Sequence, residues 1–201
     1  MEYFEDFSYI ERYDTLIEEN VGAPKRYILR GVFSRIGIPN KNKRIYSKPV
    51  MEDCISNLQE MIKTRGFVGE LDHPPSPKIN INGISHIITK LVLAPDGAVI
   101  GEMEALDTDA GRTLKKLMEA KVRLGVSTRG LGQVRPYSGP LGEGLVEVQL
   151  GYRMKAIDVV FDPSAGTYPT QVVESTESGI LLGSDINFRK VWEDCFGNYN
   201  D

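Results

Sequence analysis

The stretch Val122-Arg-Leu-Gly-Val-Ser-Thr-Arg-Gly-Leu-Gly-Gln-Val134 constrains the chain more than any other. Val122, Leu124 and Val126 recur at every second position, the period of a β-strand. On such a strand Ser127 points to the opposite face, which it shares with Arg123 and Arg129. Glycines at 125, 130 and 132 leave room for another backbone to approach closely. A serine flanked by positive charge and bare backbone has the makings of a nucleophile with oxyanion donors nearby. It also has the makings of a polar residue on a solvated strand face. The first reading needs a base from elsewhere in the chain.

The totals narrow the setting. The 201 residues are 41% hydrophobic and 26% charged, enough for one domain of about 150 residues with extensions. A net charge of −4 argues against a nucleic-acid binder, which would be basic. No apolar run reaches the roughly 20 residues of a membrane span, and the N-terminus lacks a signal-peptide pattern. Cys54 and Cys195 lie far apart without a CxxC, as expected of reduced thiols in a cytosolic compartment.

Residues 1–20 carry seven acidic side chains and one basic, with Phe4, Phe7, Tyr9, Ile10, Tyr13, Leu16 and Ile17 offering an apolar stripe. This predicts an acidic N-terminal arm or helix over 1–20. Lys25–Ile38 reads as a strand and Lys48–Thr64 as a helix, with Pro49 in its first turn and a core-facing stripe from Val50 to Ile62. Gly66–Pro77 follows, with His73 directly before prolines 74, 75 and 77. Those prolines rigidify a loop and push His73 toward an extended backbone. Gly83–Leu93, holding His86, and Ala98–Ala105 form a hairpin across Pro95-Asp-Gly97. Asp107–Ala120 is a helix capped by Thr108 or Asp109. Arg135–Gly144 reads as an exposed loop, and Leu145–Leu150 and Tyr152–Phe161 as strands. Thr167–Asp185 has the composition of a linker, and Ile186–Phe196 that of a short amphipathic helix. There is no internal repeat.

The last strand holds an anomaly. Tyr152, Met154, Ala156, Asp158 and Val160 would share one face, leaving Asp158 among apolar side chains. A carboxylate there needs a partner. It is either a structural ion-pair or capping residue, or the group that orients a histidine. Ser127, one of two histidines and Asp158 make a serine, base and acid set in the order His, Ser, Asp. That order differs from those of chymotrypsin, subtilisin and the α/β-hydrolases, and Gly125-Val-Ser127-Thr-Arg129 lacks the second glycine of a G-x-S-x-G elbow.

Four ordered blocks carry a family resemblance: Gly69-Glu-Leu-Asp-His73-Pro, Ile84-Ser-His86-Ile-Ile, Leu124-Gly-Val-Ser127-Thr-Arg-Gly-Leu-Gly132 and Ile157-Asp158-Val-Val-Phe-Asp-Pro-Ser164. With Asn42-Lys-Arg-Ile-Tyr46, they resemble the prohead core proteases of T-even-type tailed phages from about Lys25 to Thr170. That family is similar in fold to the herpesvirus assembly proteases. The resemblance implies an α+β fold, a small closed antiparallel β-barrel surrounded by helices, with the serine protease domain over 21–170 and a linker and short C-terminal helix over 171–201. It implies Ser127 as nucleophile and His73 as base, with Asp158 as the third member. Arg129 and the backbone around Gly130 are the candidates for the oxyanion. The implied substrates are scaffold, core and capsid proteins inside the viral prohead in the host cytoplasm, cleaved often after a glutamate two residues past Leu or Ile. Leu141-Gly-Glu143 and Leu145-Val-Glu147 are such triplets, so the 135–147 loop is a candidate for self-cleavage. A homo-oligomer is expected.

His86 lies on a strand face with Ile84 and Ile88, where a satisfied core histidine is the default; it is the alternative base. Two other readings stand beside the protease. One is a non-enzymatic β-rich capsid scaffold or interaction module. The other is a metallohydrolase using Glu70, Asp72, His73 and His86, whose thin ligand set lacks HExxH spacing. No cofactor or metal is expected.

Overall fold

The computed structural model describes residues 2–8, 13–18, 25–72, 74, 76–160 and 188–197. Its first unit spans Met1–Asp162 and its second Pro163–Asp201. In the first unit, β1 (Glu2–Ser8), β2 (Tyr13–Glu18), β3 (Arg26–Arg35) and β4 (Arg44–Ile45) precede α1 (Lys48–Lys63). Then come β5 (Val68–Glu70), β6 (Ile84–Leu93), β7 (Ala98–Ala105) and α2 (Asp109–Glu119). β8 (Gly125–Gly132), β9 (Val134–Pro136), β10 (Val146–Val148) and β11 (Arg153–Val160) complete it. In the second unit α3 (Phe188–Phe196) stacks Trp192 against Phe196 at 4.5 Å between ring centroids.

The largest sheet is antiparallel, in the order β2-β3-β7-β6-β5. One face of its central strands is apolar and packs with the helices: Leu29, Phe33, Ile88, Leu91 and Met103 are buried with Val50, Met51, Cys54 and Leu58 of α1 and Leu114 and Met118 of α2, while the other face carries the buried Arg30–Glu102 pair. Burial pushes the Cys54 thiol up to about 11, so it stays protonated in the core. α2 starts as its sequence requires, the Thr108 hydroxyl accepting from Gly111 N at 2.9 Å. A second sheet runs β1-β8-β11 and a third β4-β10-β9.

Two expectations are corrected. The closed barrel is not formed: among the described residues the strands fall into three sheets, none of which closes on itself. Closure demands a partner for every edge strand. β5, at the edge of the large sheet, is three residues long. Just beyond it the chain meets β11 in a single parallel bridge, Leu71 to Val159, and then enters the proline loop. Proline has no N–H to extend a ladder. The α+β character holds, as a mixed fold of open sheets. The helix weighed for residues 1–20 is also absent from the described part of that segment, which forms β1 and β2. Its Tyr, Phe, Ile and Thr content suits strands, and open edges of β8 and β3 provide pairing partners that outweigh a helical period. Residues 161–187, with the linker expected there, lie outside the described residues.

Candidate active site

β8 is the middle strand of its sheet, and Ser127 is its third residue. In the antiparallel registers, Phe7 of β1 is opposite Ser127 on one side and Asp158 of β11 on the other. Directly opposed residues share a face, so Ser127 and Asp158 are brought together. Arg129, two residues on, lies across from Ala156 on that same face. The alternation expected along β11 breaks at a bulge between Met154 and Ala156, which puts Met154 opposite Gly130 and on the other face. Gly130 is itself a packing requirement: a Cβ there would lie 2.4 Å from the Tyr152 ring.

Ser127, Arg129 and Asp158 have no solvent-exposed surface, and Glu70 has almost none. The carboxylate that looked anomalous in the sequence is in an ion-pair network. Arg129 Nε donates to Asp158 Oδ2, and Nη2 donates to Asp158 Oδ1 at 2.9 Å and to Glu70 Oε2. Nη1 donates to the Ser76 carbonyl at 2.7 Å. Asp158 Oδ1 also accepts from Glu70 N at 3.0 Å, and Glu70 Oε1 from Asn80 N at 3.1 Å. Burial alone would lower the Arg129 pKa, but Asp158 and Glu70 outweigh it and hold the guanidinium charged. Glu70 entered the sequence reading only as a metal-ligand candidate, so its pairing with Arg129 was missed. The two residues are 59 apart, and no local pattern links them.

The two histidines separate. His86 is fully buried in β6, with Nε2 2.8 Å from the Ile157 carbonyl and Nδ1 2.8 Å from Ser85 Oγ. A carbonyl only accepts, so Nε2 carries the proton and Nδ1 accepts from the Ser85 hydroxyl. Burial, opposed by the Ile157 bond and by Asp158, lowers the His86 pKa to about 4. Gly69 lets β5 pass over this ring, since a Cβ at 69 would meet Ile157 O at 1.9 Å and His86 Nε2 at 2.2 Å. With His86 and Glu70 both turned to other partners, the metal-ligand set named above is not assembled by them. His73 lies outside the described residues. Its neighbour Asp72 has a left-handed backbone (φ 66°) and donates its N–H to Val159 O at 2.8 Å, one residue past Asp158.

His86 yields a prediction of pH-dependent stability. Its pKa falls from an ordinary 6.5 to about 4 on folding, so the unfolded chain binds the extra proton between those values. Stability from this group is complete above pH 6.5 and is lost as pH drops toward 4, by about 3 kcal/mol. Urea unfolding at pH 7.5 and pH 4 should show this loss in the wild type and a slope flattened by that amount in His86→Gln. Equal slopes in the two proteins would mean that His86 is not a buried neutral ring.

Known proteins decide the family. A family model described as prohead core protein serine protease matches residues 13–179, most of the chain. The chain belongs to this family. It is 28% identical over 166 residues to the prohead core protein protease of Enterobacteria phage T4, covering 80% of this chain and 75% of that one. Its fold is similar to the solved bacteriophage T4 capsid assembly protease, with a TM-score of 0.72 and 23% identity over 80% of this chain and 98% of the other. The chain is therefore a protease of the prohead type, and the non-enzymatic scaffold reading gives way. The family match runs from β2 through β8 and β11 and past Asp158, so Glu70, Ser127, Arg129 and Asp158 all lie within it, while β1 precedes it.

Proposed function

We propose that the chain is a serine endopeptidase in which Ser127 is the nucleophile, His73 the general base and Asp158 the buried acid. It acts on scaffold, core and capsid proteins inside the phage prohead during maturation. The observation that carries this reading is the placement of Ser127 directly across from Asp158, with Asp72 bonded to the next residue of β11. His73 is one peptide bond further. In the acylation step Ser127 Oγ bonds to the scissile carbonyl carbon as His73 takes its proton. The proton then passes to the departing amine as the C–N bond breaks, and water releases the acyl group by the reverse sequence. Asp158 accepts three hydrogen bonds from Arg129 and Glu70 N. As the buried acid of the set, Asp158 would orient the His73 ring through a ring N–H.

The histidines test this reading. His73→Ala is expected to lower precursor cleavage at least about 1,000-fold while the protein still melts cooperatively. His86→Gln, which keeps a donor toward Ile157 O, should cleave within a few-fold of wild type. The opposite ranking, measured by gel on co-expressed capsid and core precursors, would reassign the base.

A further inference from the structure

We infer that Arg129 is a positioning residue, which with Glu70 holds the His73-bearing loop in register with Ser127. This rests on the reading of Ser127 and His73 as nucleophile and base. The loop between β5 and β6 is fastened to the Ser127 sheet on both sides of His73. Before it, Asp72 N donates to Val159 O at 2.8 Å. After it, the Ser76 carbonyl accepts from Arg129 Nη1 at 2.7 Å. Only His73, Pro74 and Pro75 lie between these anchors. Arg129 is two residues from Ser127 on the same strand face, about 6.7 Å along it. The guanidinium is a rigid planar fork, and its bonds to Asp158 and Glu70 fix where its Nη1 meets the Ser76 carbonyl.

Glu70 completes the clamp at the base of the loop. One carboxylate oxygen accepts from Asn80 N at 3.1 Å, ten residues away, and the other from Arg129. Asn80 in turn accepts from Asn82 N at 3.1 Å, starting the 3-10 turn at Ile81–Gly83. The segment from Glu70 to Asn80 is thus closed on itself and pinned to Arg129. Four of the five guanidinium N–H groups are donated within this network. That commitment suits a brace better than a donor to the oxyanion.

The test uses the full chain and a peptide spanning a mapped precursor cleavage site. Arg129→Lys keeps a cation between Glu70 and Asp158, but a single ammonium cannot span all of these acceptors. Glu70→Gln keeps the shape, but its amide cannot accept from both Asn80 N and Arg129 Nη2. Both variants should lower kcat about 10- to 100-fold, the range of a small misplacement of a reacting group, with KM within about 2-fold and cooperative melting retained. A brace to the fold alone would shift Tm and leave kcat of the folded protein unchanged, which would overturn the proposal. Loss in Arg129→Lys with wild-type kcat in Glu70→Gln would overturn it too, placing Arg129 at the oxyanion. If Arg129→Lys does not fold, the kcat of Glu70→Gln decides alone. Should Ser127→Ala cleave the same peptide, the failure belongs to the nucleophile assignment and not to the clamp.

Discussion

Replacing Ser127 with alanine is expected to abolish precursor cleavage, lowering it by at least about 1,000-fold. The exchange removes one oxygen from a residue with no exposed surface on the middle strand of a sheet. The backbone ladder to β1 and β11 is untouched, so the stability change should stay near 1 kcal/mol, the size of one hydrogen bond. Activity and fold therefore separate cleanly in this variant. The same pair of proteins tests self-cleavage. Leu141 and the glycines and glutamate after it lie on an exposed stretch, 139–144. Leu145-Val-Glu147 does not: Val146–Val148 is held in β10 between β4 and β9, and Glu147 is bonded to Arg135. Intact mass of purified wild type over days should show a cut after Glu143 that Ser127→Ala lacks. Wild-type processing by Ser127→Ala would refute the nucleophile assignment.

What could be read before the structure was local. Period 2 around Val126 placed Ser127 on a strand, and β8 covers it. The spacing from Val50 to Ile62 marked α1 and its buried face. Thr108 or Asp109 marked the start of α2, and Thr108 is the cap. Each signal lies within a dozen residues of the feature it specifies. Non-local features were not legible. Barrel closure depends on which strand edges meet, and a three-residue β5 running into prolines does not announce its partner. Phe4, Phe7 and Tyr13 fit a helical stripe and a strand nearly equally, and pairing with β8 and β3 settles which forms. The bulge before Ala156 moves Met154 to the other face without any glycine or proline to mark it. Asp158 was recognised as a carboxylate in need of a partner. The partners came from β8, 29 residues earlier in the chain, and from β5, 88 residues earlier, and only the register brings them together.

Arg129→Met is expected to cost about 3–5 kcal/mol of stability, the largest loss from any single exchange in the site. Methionine keeps the apolar stem but ends near the position of Nε, so the charge and hydrogen bonds of the guanidinium are lost together with some of its packing. Glu70 and Asp158 would remain buried, their side chains 3% and 0% exposed, without the guanidinium that pairs with both. The Ser76 carbonyl would lose its donor as well. The penalty arises from the stranded carboxylates and not from the worth of the pairs, because desolvation offsets most of a buried ion pair's attraction. That distinction is measurable. Adding Glu70→Gln and Asp158→Asn to Arg129→Met removes all three charges of this network, and urea unfolding should then recover at least about half of the loss. Arg135→Met provides the surface comparison: Arg135 pairs with Glu147 but is 64% exposed, and its loss should cost less than about 1 kcal/mol. A single-variant loss for Arg129→Met as small as that would mean that water reaches Glu70 and Asp158. The clamp on the His73 loop would then have no low-dielectric setting from which to draw its stiffness.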